Sequence, residues 1–132
     1  MIPKFRAWLK GDKEMVDVDE IAFRTNWIRV FYELNYYWFK FDDVKLMQST
    51  GLFDKNGQEI FEGDVVQFED CYIESDFLYI NKGIVEWSQG RFTITNRDYV
   101  EMEDLLDGEI LDVIIIGNIY ENPEFLEVNN ET

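Results

Sequence analysis

Met47-Gln48-Ser49-Thr50-Gly51-Leu52-Phe53-Asp54-Lys55-Asn56-Gly57-Gln58-Glu59-Ile60-Phe61-Glu62-Gly63-Asp64-Val65-Val66 spells out two turns with a short hairpin between them. Asp54-Lys55-Asn56-Gly57 contains Asn-Gly, the pair that best tolerates positive φ at both central positions of a hairpin turn. Gln58 to Phe61 is expected to return as a short strand. Glu62-Gly63-Asp64 then turns the chain again. Gly63 reaches a left-handed conformation without a Cβ clash, and the Asp64 carboxylate can accept backbone amides and hold the corner. Val65 to Phe68 starts a new strand from that corner.

Upstream, Phe5-Arg6-Ala7-Trp8-Leu9 alternates, Gly11-Asp12 interrupts, and Glu14-Met15-Val16-Asp17-Val18 resumes, the pattern of a first β-hairpin. Trp27 to Leu34 alternates as well and places Ile28, Val30, Tyr32 and Leu34 on one face. A helix would also fit, but β-branched and aromatic residues favour a strand. Asn35-Tyr36-Tyr37-Trp38-Phe39-Lys40-Phe41 is the most aromatic window. Rings would stand on both faces of a strand there, so Tyr36, Tyr37, Trp38 and Phe39 either pack in a core or form a subunit contact, since interface cores are also rich in Tyr and Trp.

Downstream, Glu69 to Tyr79 mixes acids with aromatics without a clean period and reads as an excursion between strands. Gly83 to Trp87 and Arg91 to Thr95 form the clearest hairpin, with Gly90 suited to a left-handed turn position. Asp98 to Leu111 reads as a loop or short helix. Val113-Ile114-Ile115-Ile116 is a continuous apolar run, expected to be a fully buried strand. Asn122-Pro123-Glu124 has the chemistry of a helix start, with Asn as cap and Pro at the first helical position.

The 132 residues suit one domain, and 46% apolar content is too high for a disordered chain. No apolar run is long enough to span a membrane, and Met1-Ile2-Pro3-Lys4-Phe5-Arg6 lacks an apolar signal core, so cytoplasmic residence is expected. Histidine is absent, which removes His-based triads, imidazole metal ligation and imidazole acid/base chemistry. Cys71 is the single cysteine, so it can form no internal disulfide, and without a base partner it reads as an ordinary thiol. The net charge of −16 repels phosphate backbones, so no direct nucleic-acid binding is expected. That charge serves solubility or, alternatively, mimics DNA to occupy the groove of a basic protein.

Asp17 and Asp19 would share a strand face and could offer two carboxylates to a hard cation, but with no third ligand they read as a solvated edge. The run Asp54-Lys55-Asn56-Gly57 fails as a calcium loop because its glycine comes too early and no terminal Glu matches. Lys10-Gly11-Asp12-Lys13 lacks the upstream glycine of a phosphate loop. Carboxylates gather between Asp98 and Asp112, including Glu101, Glu103, Asp104 and Asp107, as a face for a basic partner or a solvated loop. No catalytic group, metal site or cofactor is expected.

The opening Phe5-Arg6-Ala7-Trp8, the two-turn segment, and the closing block Ile116-Gly117-Asn118-Ile119-Tyr120-Glu121-Asn122-Pro123-Glu124-Phe125-Leu126 resemble, in order, the YopX family of mainly phage- and prophage-encoded proteins. Phe125 stands where that family often carries Leu. The resemblance is thinnest over about residues 17 to 45 and 69 to 82. It implies a mainly β chain built as a small SH3-like barrel with additional N-terminal strands, and it implies oligomers; it brings no established activity. An acidic-Gly-Asp corner leading into a Val-rich strand is an analogy to such barrels as well. The expected organisation is a single domain over 1–132, with N-terminal strands over about 1–44, the barrel over about 45–126, one or two short helical segments and a frayed tail over 127–132. The expected role is protein binding or assembly in the cytoplasm of a bacterial host, through self-association and a host or phage protein partner, with no catalysis and no membrane. The alternative is an acidic DNA-mimic inhibitor of a basic host nucleic-acid-binding protein.

Overall fold

Period-two alternation is the signature of half-buried strands, and strands are what the chain forms. The structure is a computed structural model that describes residues 4–71, 78–88, 90–95, 100–101 and 113–124. It divides into two compact units, Met1–Ser49 and Thr50–Thr132.

The first unit contains β1 (Phe5–Leu9), β2 (Glu14–Ala22), β3 (Trp27–Tyr32), β4 (Asn35–Lys40), a 3-10 turn (Phe41–Asp43) and the start of β5 (Val44–Phe53). All neighbouring pairs are antiparallel, with Ala7 opposite Val16 and Leu46, and Val30 opposite Val18 and Tyr37. The apolar residues of the alternation supply the core: Ala7, Leu9, Val16, Ile28, Val30 and Val44 are buried, with Val18, Tyr32, Phe39, Phe41 and Leu46 partly buried against them. Fully burying one such aliphatic side chain stabilises the fold by about 1.5–3 kcal/mol. The expected first hairpin forms, but Lys13, with φ of 56°, supplies its left-handed residue rather than Gly11. Leu34 does not join the face of Ile28, Val30 and Tyr32. It sits in the turn after β3 with positive φ and is exposed. β2 is flanked by β1 and β3, so Asp17 and Asp19 do not lie on a sheet edge.

The second unit takes over within β5 and adds β6 (Glu59–Phe61), β7 (Asp64–Cys71), β8 (Leu78–Ser88), β9 (Arg91–Thr95), β10 (Val100–Glu101) and β11 (Val113–Asn118). Ile60, Val66, Val85, Ile94 and Val113 form its buried core cluster, with Leu52, Phe92 and Ile115 packed against them. The ladder between β7 and β8 runs from Val65–Ile84 out to Cys71–Leu78. Much of the expected excursion over 69–79 is therefore paired strand, because backbone pairing continues where no apolar period exists to be read; 72–77 lie outside the described residues. β11 is not fully buried as its apolar run suggested. Only Val113 and Asn118 of β11 are buried, since among the described residues β11 ends its sheet beside β7, and it kinks at a bulge between Ile115 and Gly117.

The strand orders are β4-β3-β2-β1-β5-β6 and β10-β9-β8-β7-β11. Closing a barrel would require the end strands of a sheet to bond to each other, and neither order does this. Among the described residues the fold is thus mainly β, two antiparallel sheets with no closed barrel. Beyond the 3-10 turn, helical structure among them is confined to Glu124, and the frayed tail expected over 127–132 lies outside them.

Candidate functional site

In a strand, the residues between core positions form a second face. On β3 these are Trp27, Arg29 and Phe31, and directly opposite on β4 stand Lys40, Trp38 and Tyr36. The hairpin thus carries a continuous outer face of rings and two cations. Trp27 is 36% exposed, Phe31 44%, Tyr36 58% and Trp38 49%, large values for such residues. The Arg29 guanidinium lies 4.8 Å from the centre of the Tyr36 ring and 6.0 Å from that of Trp38, and Lys40 Nζ lies 5.7 Å from that of Trp27. The Phe31 and Tyr36 rings are 5.2 Å apart. These are cation–π and tilted ring contacts that hold the face in one arrangement while leaving its surface open.

Arg29 is anchored from β2. Its Nε donates to Asp19 Oδ2 at 2.7 Å, Nη2 pairs with the same oxygen, and Glu20 Oε2 lies 3.2 Å from Nη2. The bulge between Val18 and Glu20 sets both acids beside one arginine. The hydrogen bond to Asp19 is the main cause that raises the guanidinium above its ordinary pKa, with desolvation opposing it. Asp19 is therefore the counter-ion of the aromatic face. Tyr32, on the core side, has its hydroxyl pKa raised by burial and by the carboxylates of Glu33 and Glu14.

Of the rings that the sequence singles out, Tyr36 and Trp38 join this outer face, while Tyr37 and Phe39 point to the other, where Phe39 is half-buried and Tyr37 is 41% exposed. Sequence reading passes over Trp27, Arg29 and Phe31, although their alternation with Ile28 and Val30 marks them. An open depression of about 410 Å3 lies at the far end of the hairpin, between Thr25, Asn26, Trp27, Lys40, Phe41 and Asp42. Glu101 lies in β10, and Glu103, Asp104 and Asp107 lie outside the described residues. Among the described residues, no three carboxylate or thiol groups gather where they could hold a metal ion, and no helix is long and apolar enough to cross a membrane.

The turn residues act through backbone hydrogen bonds. Asp54 is fully buried; its Oδ1 accepts the amides of Asn56 and Gln58, both at 2.9 Å, and its Oδ2 accepts the Ile115 amide of β11 at 3.0 Å. That carboxylate shapes the turn, so Gly57 takes positive φ, at 77°, and Asn56 does not. Gly63 has φ of 87°, and Asp64 Oδ2 accepts the Phe61 amide at 2.8 Å. Gly90 has φ of 81°. Asn118 Oδ1 accepts the amides of Tyr120 and Glu121, and the Asn122 side-chain oxygen accepts the Asn118 amide at 3.2 Å, bonding back into the turn.

A family model described as YopX protein matches residues 4–127. The chain belongs to the YopX family. The crystal structure of protein EF1440 from Enterococcus faecalis is similar, at 30% identity over 96% of this chain and 99% of that one, with a TM-score of 0.64. The YopX protein from Bacillus subtilis shares the fold at 18% identity, over 92% of this chain and 95% of that one, with a TM-score of 0.58. No match is found among curated proteins. Of the residues carrying the YopX resemblance, Phe5-Arg6-Ala7-Trp8 lie in β1, while Asn56, Gly57, Gly63, Asp64, Gly117, Asn118 and Asn122 lie in or beside the turns just described. In this chain those YopX signature residues shape turns.

Proposed function

We propose that this YopX chain is a protein-binding and assembly module that works in the cytoplasm of a bacterial host without catalysis or cofactor. The observation that carries this reading is the outer face of β3 and β4, where Trp27, Phe31, Tyr36 and Trp38 stay exposed around a salt-bridged arginine. Aromatic residues and arginine are the side chains most enriched in the energetic centres of protein interfaces. A sequence without histidine and with one cysteine supports the absence of catalysis. Net charge of −16 supports a protein partner over a nucleic acid.

The second unit supports the finer reading of an SH3-like module. In β11-β7-β8-β9-β10 three hairpin-linked strands follow β7, and the last strand returns beside the first, which is the strand order of SH3-like folds. The DNA-mimic alternative rests on the acids between Asp98 and Asp112, of which Glu101 lies in β10.

The test is capture of partners from phage-infected bacterial lysate by the wild-type chain and by a Tyr36→Ala/Trp38→Ala variant. A protein retained by the first and lost by the second is expected. Partners retained equally by both would reject this face as the binding surface.

A further inference from the structure

We propose that two copies of the chain pair β4 to β4, antiparallel about a two-fold axis through Trp38, and so join their first sheets into one. The inference rests on the reading of the β3–β4 face as a binding surface and names its occupant as a second copy.

β4 is the end strand of its sheet. Edge strands are normally blunted by proline, bulges, inward-pointing charges or short length. β4 is six residues long, contains no proline, keeps an unbroken register with β3, and has a single charge, Lys40, at its end. Among the described residues no strand pairs with its outer edge, which is a template for another strand.

The hairpin turn fixes which backbone groups that edge offers. Glu33 and Leu34 both have positive φ, 50° and 66°, which makes a two-residue turn flanked by Tyr32 and Asn35. In such a turn the flanking residues form a hydrogen-bonded pair, and hydrogen-bonded and open pairs then alternate. Asn35, Tyr37 and Phe39 therefore spend their amides and carbonyls on β3. The Phe41 amide, bonded to the Asn26 carbonyl at 3.1 Å, continues the same alternation. Tyr36, Trp38 and Lys40 direct their amides and carbonyls outward.

A second β4 docking antiparallel satisfies all of these outward groups in one register: Trp38 opposite Trp38, and Tyr36 opposite the second copy's Lys40. Directly opposed residues share a face. This register stacks two tryptophans on the axis and gives each Lys40 a tyrosine ring, the same cation-on-ring contact that Lys40 and Arg29 already make within the chain. On the other face Tyr37 meets Phe39. A register centred on Tyr37 leaves the outward groups of Lys40 unpaired, and one centred on Lys40 sets two ammonium groups against each other. Charge favours the same occupant. The chain carries −16, yet β4 itself holds no carboxylate, so acids meet only beyond the strand ends, where Glu33 and Asp43 come opposite each other.

The test uses the full chain. Light scattering after gel filtration at tens of micromolar should give a dimer mass or a multiple of it. Trp38→Pro removes an outward amide and the ring beside Arg29 but no bond of the β3 ladder, so it should lower the mass while the chain stays folded; Trp38→Lys, which sets like charges on the axis, serves if the proline variant fails to fold. Open antiparallel pairs bring Cα atoms to about 4.5 Å, within disulfide reach. In a Cys71→Ser background, mixed Tyr37→Cys and Phe39→Cys chains should form a mixed disulfide, while Tyr37→Cys alone should not. A monomeric wild-type chain, an assembly indifferent to Trp38→Lys, or efficient crosslinking of Tyr37→Cys to itself would overturn the inference. If the wild type is monomeric but still captures a host protein through Tyr36 and Trp38, self-pairing falls and the binding-module reading stands.

Discussion

Asp54 shows what a single carboxylate can hold. It is fully buried, and its two oxygens accept amides from Asn56, Gln58 and Ile115, tying the turn after β5 to the bulged strand β11. Asp54→Ala would leave all these donors without an acceptor, at about 1–3 kcal/mol for each that finds no water. The expected result is a fall in stability of about 3 kcal/mol, read as a lower urea midpoint, with Asp54→Asn less severe because one oxygen remains. Gly63, at φ of 87°, sits in a conformation that costs an L-residue about 1–2 kcal/mol. Gly63→Val should lower the midpoint by at least that much, and an unchanged midpoint would remove the argument for a strained corner. Both positions lie in the stretch that the sequence singles out, but of the two only Gly63 is legible there as structural. Nothing local distinguishes Asp54 from a solvated turn aspartate, because its third partner, Ile115, lies far along the chain.

Among the elements, the β3–β4 hairpin departs furthest from local rules. A two-residue turn with two positive φ values asks for Asn-Gly, and this chain supplies Glu33-Leu34, with Leu34 86% exposed. Left-handed conformation is unfavourable for a branched-chain residue, so the turn is held by the ladders around it. Leu34→Gly should therefore raise stability by about 0.5–1 kcal/mol in urea unfolding, with Glu33→Asn adding a smaller gain. A loss on Leu34→Gly would mean that the leucine makes a stabilising contact of its own. The same hairpin explains what sequence could convey. Ile28 and Val30 read correctly because a buried face imposes strict alternation. Leu34 misreads because alternation continues by chance into the turn, where backbone geometry decides. The turn chemistry of Gly57, Gly63 and Gly90 reads correctly because it is local. The end position of β4 is a property of sheet order, which no window of sequence contains. β11 fails for the same reason, since an apolar run signals burial only when strands lie on both sides.

At the scale of the whole molecule, charge decides which encounters succeed. Carboxylates outnumber basic groups 28 to 12, so duplex DNA should not bind in a gel shift at any physiological salt. Arg29, a cation in the middle of the aromatic face, is already paired with Asp19 and Glu20 and offers little to a phosphate. A salt-sensitive shift at submicromolar protein would contradict this and point to a basic patch among Arg24, Arg29, Lys40 and Lys45. The same charge sets the salt dependence of self-association. Two chains of −16 repel each other at long range, and Glu33, Asp42 and Asp43 lie just beyond the two ends of β4 in each copy. The proposed contact consists of backbone hydrogen bonds and rings, which salt hardly weakens. Screening shortens the reach of the repulsion from about 30 Å at 0.01 M to about 3 Å at 1 M salt. Added salt should therefore tighten the dimer, by several-fold in dissociation constant between low and high ionic strength, as measured by sedimentation equilibrium. An interface built on ion pairs would respond in the opposite direction and loosen as salt rises. The sign of that slope thus separates an apolar strand pairing from an electrostatic one.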